Sequence, residues 1–201
     1  MAIPSPLKKG VYWCTRDLGP RIQTAEGNVW DVFKTAFSHA FTTFGNHHFI
    51  LIMDSKKNLD DFAGDFGDRV YNVQGVDDSH FITLGATKDG DKLGGYINDK
   101  TDLQSVAEYL NPKQFQSTTV PDYDFHGRLV SEDTSFARSV VQYAKTYHEQ
   151  HKDAIPDYDL TDDNCAAWVN TLFSVAGVSL EKRKKLGDQP GFDVGEDHEI
   201  D

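Results

Sequence analysis

Tyr158-Asp-Leu-Thr-Asp-Asp-Asn-Cys165-Ala-Ala-Trp-Val-Asn-Thr-Leu-Phe173 is the stretch on which the reading of this chain turns. Apolar residues recur at Cys165, Trp168, Val169, Leu172, Phe173 and Ala176, the one-sided spacing of a helix packed on a core. Thr161, Asp162 and Asp163 suit its start and Gly177 its end. Cys165 then falls in or near the first turn, where unpaired N–H groups and the macrodipole favour thiolate over thiol. That is a nucleophile's position, although a small cysteine on an apolar helix face is more often inert packing.

A second segment changes the balance. Gly45-Asn-His47-His48-Phe-Ile-Leu-Ile-Met-Asp54 reads as a buried strand entered through two histidines. Alternation sends His47, Phe49 and Leu51 to one face and His48, Ile50 and Ile52 to the other. A histidine beside a thiol is the base, and later the acid, that a cysteine nucleophile needs. Paired histidines are also an ordinary polar entry into a sheet.

Together the two segments resemble a known family. Tyr158-x-Leu-Thr-x-x-Asn164-Cys165-x-x-Trp168-Val169-Asn170-x-Leu172 is similar to the nucleophile helix of the lecithin:retinol acyltransferase and H-rev type proteins, circularly permuted members of the NlpC/P60 branch of the papain-like superfamily. His47-x-x-Ile50-x-Ile52-x-Asp54 resembles that family's histidine strand, and histidine before cysteine is the permuted order. The resemblance implies an α+β, circularly permuted papain-like fold with a small antiparallel sheet packed against the nucleophile helix. It implies Cys165 as nucleophile and His47 as base, with His48 as the alternate. The family places a third polar residue on the next strand, and Asp68-Arg-Val-Tyr-Asn72-Val-Gln-Gly75 is similar to that strand, which makes Asn72 the orienting residue and His80 its competitor. The oxyanion would be met at the helix start, by Asn164 and Cys165, chiefly the backbone N–H of Cys165.

The length of 201 residues suits one domain, residues 1–187, with insertions near 17–44 and 75–130 and an acidic, mobile tail over 188–201. A net charge of −12 argues against general nucleic-acid binding and adhesion to anionic lipid. No apolar run reaches transmembrane length and the N-terminus lacks a signal's apolar stretch, so the expectation is cytoplasmic synthesis. A target outside the cell would then require a signal-independent secretion machine. In that address two free thiols are expected, with Cys14 structural.

Strands are expected near 10–16, 48–53, 69–74 and 80–84, and helices over 29–43, 102–110 and 135–151. Lys88-Asp-Gly-Asp-Lys-Leu-Gly-Gly-Tyr96 has the chemistry of a turn before a further strand or flap. His148 and His151, and the acidic spacings at Asp89, Asp91 and 157–163, fall short of full metal-ligand sets, so no metal or cofactor is expected. Glu181-Lys-Arg-Lys-Lys185 reads as a solvated basic face. The expected activity is hydrolysis of an amide bond, in peptidoglycan or another peptide, through a thioester. By analogy with the superfamily the chain would serve as a bacterial effector toxin, which implies an immunity or carrier protein as partner. The alternatives are a lipid acyl hydrolase or acyltransferase, and a catalytically silent binding module.

Overall fold

In the computed structural model, residues 7–17, 46–63, 71–72, 79–89, 92–110, 125–150 and 164–187 are described. They form one antiparallel sheet with helices on both faces. In chain order the strands are β1 (Gly10–Asp17), β2 (Asn46–Ser55), β3 (Tyr71–Asn72), β4 (Ser79–Asp89), β5 (Lys92–Ile97) and β6 (His126–Ser131). The helices are α1 (Lys56–Ala63), α2 (Lys100–Leu110), α3 (Thr134–Gln150), α4 (Cys165–Val175) and α5 (Leu180–Gly187). The sheet order is β3-β4-β2-β1-β6, and β5 pairs with β4 farther along.

β2 is the centre, and its sequence says why. The run Phe49-Ile-Leu-Ile-Met53 is apolar at every position, so both faces must be covered. Each of these residues is buried. Ile50 and Ile52 face a large core made by α1, α3, α4 and α5, where Trp13, Trp168 and Phe173 lie. Phe49, Leu51 and Met53 face a smaller core closed by Leu103 and Val106 of α2, with Phe125. The covalent alternation of one strand thus supplies two cores.

Helix starts are capped by short polar side chains. Asp99 Oδ1 accepts from the N–H groups of Thr101 and Asp102, which places Asp102 in the first turn of α2. Asp133 does the same for α3 through the N–H of Ser135, and Ser179 for α5 through that of Lys182. At the far end of β2, buried Asp54 accepts from Asn58, Thr134 and Lys9, joining α1, α3 and the chain before β1.

The expected α+β class and antiparallel sheet hold. The segment 75–130 is not an insertion around the core: it supplies β4, β5, α2 and most of β6, and β4 is the direct neighbour of β2. Its length reflects sheet-building, since a polar-flanked strand such as His80–Leu84 gains its stability from pairing that no local pattern reveals. α1, β6 and α5 had no counterpart among the expected elements. The expected helix over 29–43, nearly all of the 17–44 insertion, and the tail 188–201 lie outside the described residues.

Candidate active site

α4 begins one residue later than the aspartates suggested. Its cap is Asn164, extended at φ −130 and ψ −177, whose Oδ1 accepts from the N–H groups of Ala166 and Ala167 at 2.9 and 3.1 Å. Thr161, Asp162 and Asp163 lie outside the described residues. Asn164 thus spends its carbonyl oxygen on the helix, while the N–H of Cys165 lies outside the pair that the cap satisfies. The helix ends as expected, with Gly177 at φ 87, the left-handed region that glycine enters without a Cβ clash.

Cys165 stands where the sheet opens. β2 pairs with β4 as far as Phe49 opposite Gly85; beyond that point β4 continues with β5. There the N–H of His48 donates to Cys165 Sγ at 3.4 Å. A strand N–H lies in the plane of the sheet, so the sulfur sits at the level of the strands and not over one face. This resolves the choice between the histidines. α4 packs on the face of His48, Ile50 and Ile52, but its first residue reaches past that face to the opening. The ring of His48 accepts at Nδ1 from Trp13 Nε1 at 2.9 Å. The ring of His47 holds the sulfur on one side and Asp102 on the other: Nε2 lies 3.3 Å from Asp102 Oδ2, which leaves Nδ1 for the thiol.

Asp102 is the orienting carboxylate, and it comes from the first turn of α2 on the opposite face of the sheet. Its other oxygen accepts from Arg16 Nε at 2.8 Å. Arg16 stands directly across from His47 in the β1–β2 register, on the same face. All four groups are buried. Asn72 pairs with His80, which pairs with Asp54; that row crosses β2 seven residues from His47, roughly 23 Å along the strand. Neither Asn72 nor His80 therefore reaches His47: the polar side chain that meets it is Asp102, not the Asn72 that the resemblance implied. Sequence offered one signal for Asp102, an acid at the capped start of a helix; for Arg16 it offered none.

The electrostatics follow from burial and pairing. Burial alone would push the Cys165 thiol up, but the His47 charge and hydrogen bond, with the backbone N–H of His48, bring it down to about 7. Burial would lower His47, Arg16 opposes its charge, and Asp102 and the thiolate carry it up to about 9. The Asp102 carboxyl is hard to ionise by burial, yet His47 and Arg16 hold it below the usual carboxylate range. Between about pH 7 and about pH 9 this pairing favours a thiolate beside an imidazolium. Cys14 is the contrast: it is fully buried and free, with its thiol pushed well above the ordinary value by burial and by Asp102. Cys165 keeps 9 % of its surface, so it is the thiol a reagent can meet.

No protein-family model, curated protein or solved structure matches the chain. Among the described residues no helix is long and apolar enough to cross a membrane, and no cluster of three or more His, Cys, Asp or Glu side chains could hold a metal ion.

Proposed function

We propose that the protein is a cysteine hydrolase that cleaves an amide bond through an acyl-enzyme thioester, built on a circularly permuted papain-like arrangement. The observation that carries this reading is the chain Cys165–His47–Asp102: a thiol at a helix start, an imidazole beside it, and a buried carboxylate on the far ring nitrogen. Nucleophile, base and orienter are the three roles such chemistry requires.

The Cys165 thiolate attacks the substrate carbonyl carbon, a C–S bond forms, and the carbonyl electron pair moves to oxygen. The N–H of Cys165 at the start of α4 is the donor for that oxyanion. As the C–N bond breaks, the His47 imidazolium gives its proton to the departing nitrogen. Water then attacks the thioester, passing a proton to His47, and release of the acid restores the thiolate–imidazolium pair. Asp102 holds the ring in place and stabilises the imidazolium throughout. The carboxylate on His47 favours the enzyme over a catalytically silent binding module, which needs no such group. Peptidoglycan peptides are the substrate class we put first, with delivery as an effector toxin; lipid acyl groups come second.

The test is the rate of iodoacetamide alkylation at Cys165 against pH, read by peptide mass spectrometry with Cys14 as internal control. Half-maximal labelling near pH 7, lost in His47→Ala, is expected, with Cys14 unlabelled in the folded protein. Labelling of Cys165 with the ordinary thiol midpoint of about 8.5 sinks the reading. Release of new amines from peptidoglycan fragments, absent in Cys165→Ala, tests the substrate class.

A further inference from the structure

Arg16 has no counterpart in the roles just described, yet it is a buried cation tied to the site through Asp102. It is buried, donates through Nε to Asp102 Oδ1 at 2.8 Å, and lies across the strand pair from His47. Resting on the reading of Cys165 as a nucleophile, we propose that Arg16 is a positioning residue that makes the thiolate sustainable: it fixes Asp102 by one oxygen so that the other faces His47, and it brings the buried cluster to zero net charge.

The argument is one of charge in a place water scarcely reaches. Arg16 from β1, Asp102 from α2, His47 from β2 and Cys165 from α4 meet at the opening of the sheet, with the His48 N–H on the sulfur, the His48 ring turned to Trp13, and Cys14 within the field of Asp102. Among the described residues, the cluster holds two cations and two anions in the reactive state. Without Arg16 the same state would bury a net negative charge, and low-dielectric surroundings disfavour that strongly. The cluster would then take up a proton, and the thiolate is the group exposed to one. A carboxylate alone behind the histidine would strengthen the imidazolium at the expense of the sulfur; the carboxylate with its arginine orients the ring without that penalty. Gly85 provides the room, since a Cβ there would stand 2.9 Å from Asp102 Oδ2 and 3.5 Å from His47 Nε2.

The experiment is the same alkylation profile on full-length variants, with near-ultraviolet circular dichroism to verify the fold. Arg16→Gln is expected to move the acid limb of Cys165 labelling upward by about one unit or more. Arg16→Lys, which keeps the charge, is expected to hold it within about half a unit of the unaltered chain. An acid limb that stays in place or falls in folded Arg16→Gln overturns the proposal and leaves Arg16 a structural tie. Should Arg16→Gln not fold, Asp102→Asn takes its place, because Arg16 keeps 10 % of its side chain exposed and water can still reach the charge. Adding Arg16→Gln to Asp102→Asn must then raise the limb; no difference between the two overturns the proposal equally. An ordinary thiol profile in the unaltered chain is a different failure, since it removes the nucleophile itself and this proposal with it.

Discussion

Gly85 faces Phe49 across the last rung of the β2–β4 ladder, on the side of the sheet that carries His47 and Asp102. A methyl group at this position would have to displace Asp102, which Arg16 holds in place, or push the β2 backbone through the Phe49 Cβ 3.4 Å away. Gly85→Ala is therefore expected to cost about 1–3 kcal/mol by overpacking. It should also slow Cys165 alkylation at pH 7, because the carboxylate can no longer face the imidazole squarely. Urea denaturation and the labelling rate check the two effects, and full reactivity at unchanged stability would contradict the packing argument. At this scale the sequence disclosed the thiol and the imidazole that the fold brings together and withheld the side chains behind them. Cys165 and His47 announce themselves through local context, a helix start and a strand entry. Arg16 does not, and Asp102 shows only as an acid at a helix start: 86 positions separate them, and they meet because α2 covers the sheet face that carries Arg16.

At the scale of elements, α2 and α4 approach one imidazole from opposite faces, each presenting an anionic group from its first turn. Helix starts favour negative charge, so Asp102 and the Cys165 thiolate both gain from where they sit. The cap of α4 can be tested alone. Asn164→Ala removes the acceptor for two buried N–H groups and is expected to destabilise the protein by about 1 kcal/mol. Fraying of the first turn should also carry the sulfur away from the His48 N–H and slow labelling at pH 7. Retained stability together with retained labelling would show that tertiary packing, not the cap, holds the turn. The later part of α4 is fastened separately: Arg183 of α5 donates Nη1 to the Asn170 side chain at 2.9 Å and to its backbone carbonyl at 3.2 Å. Asn170, conspicuous in the motif, is thus tied to a helix absent from the sequence-based expectations. α5 was hidden because its Glu181-Lys-Arg-Lys-Lys185 run has the charge of a solvated face, and its buried Arg183 and Leu186 are too few to set a pattern.

For the whole molecule, the charged pair makes stability depend on pH in a way that one substitution exposes. His47 is raised from 6.5 to about 9 by folding, so its stabilisation is complete below about 6.5 and is lost as pH rises through about 9. Cys165 is lowered from 9.0 to about 7, so its stabilisation is present above 9.0 and is lost as pH falls through about 7. Between pH 7 and 9 the folded and unfolded chains bind equal numbers of protons at these two groups, so their opposite pH dependences cancel and the stabilisation from the pair stays level. Cys165→Ala removes one side of the balance. Relative to the unaltered chain, its urea midpoint is expected to fall as pH rises above 7, because Asp102 still raises His47, and to level off below pH 9, because the thiolate no longer adds to that rise. A parallel course for the two proteins would mean that the pair is not ionised at neutral pH. What the sequence by itself determined are the properties carried by neighbours along the chain: the central apolar strand, the amphipathic helices, the thiol at a helix start and the histidines at a strand entry. The tertiary structure alone decided which carboxylate meets the histidine, which cation ties that carboxylate, and that the thiol lies in the opening between β2 and β4. Periodicity and capping act over a few residues, whereas these pairings are fixed by strand register and by which face each helix covers.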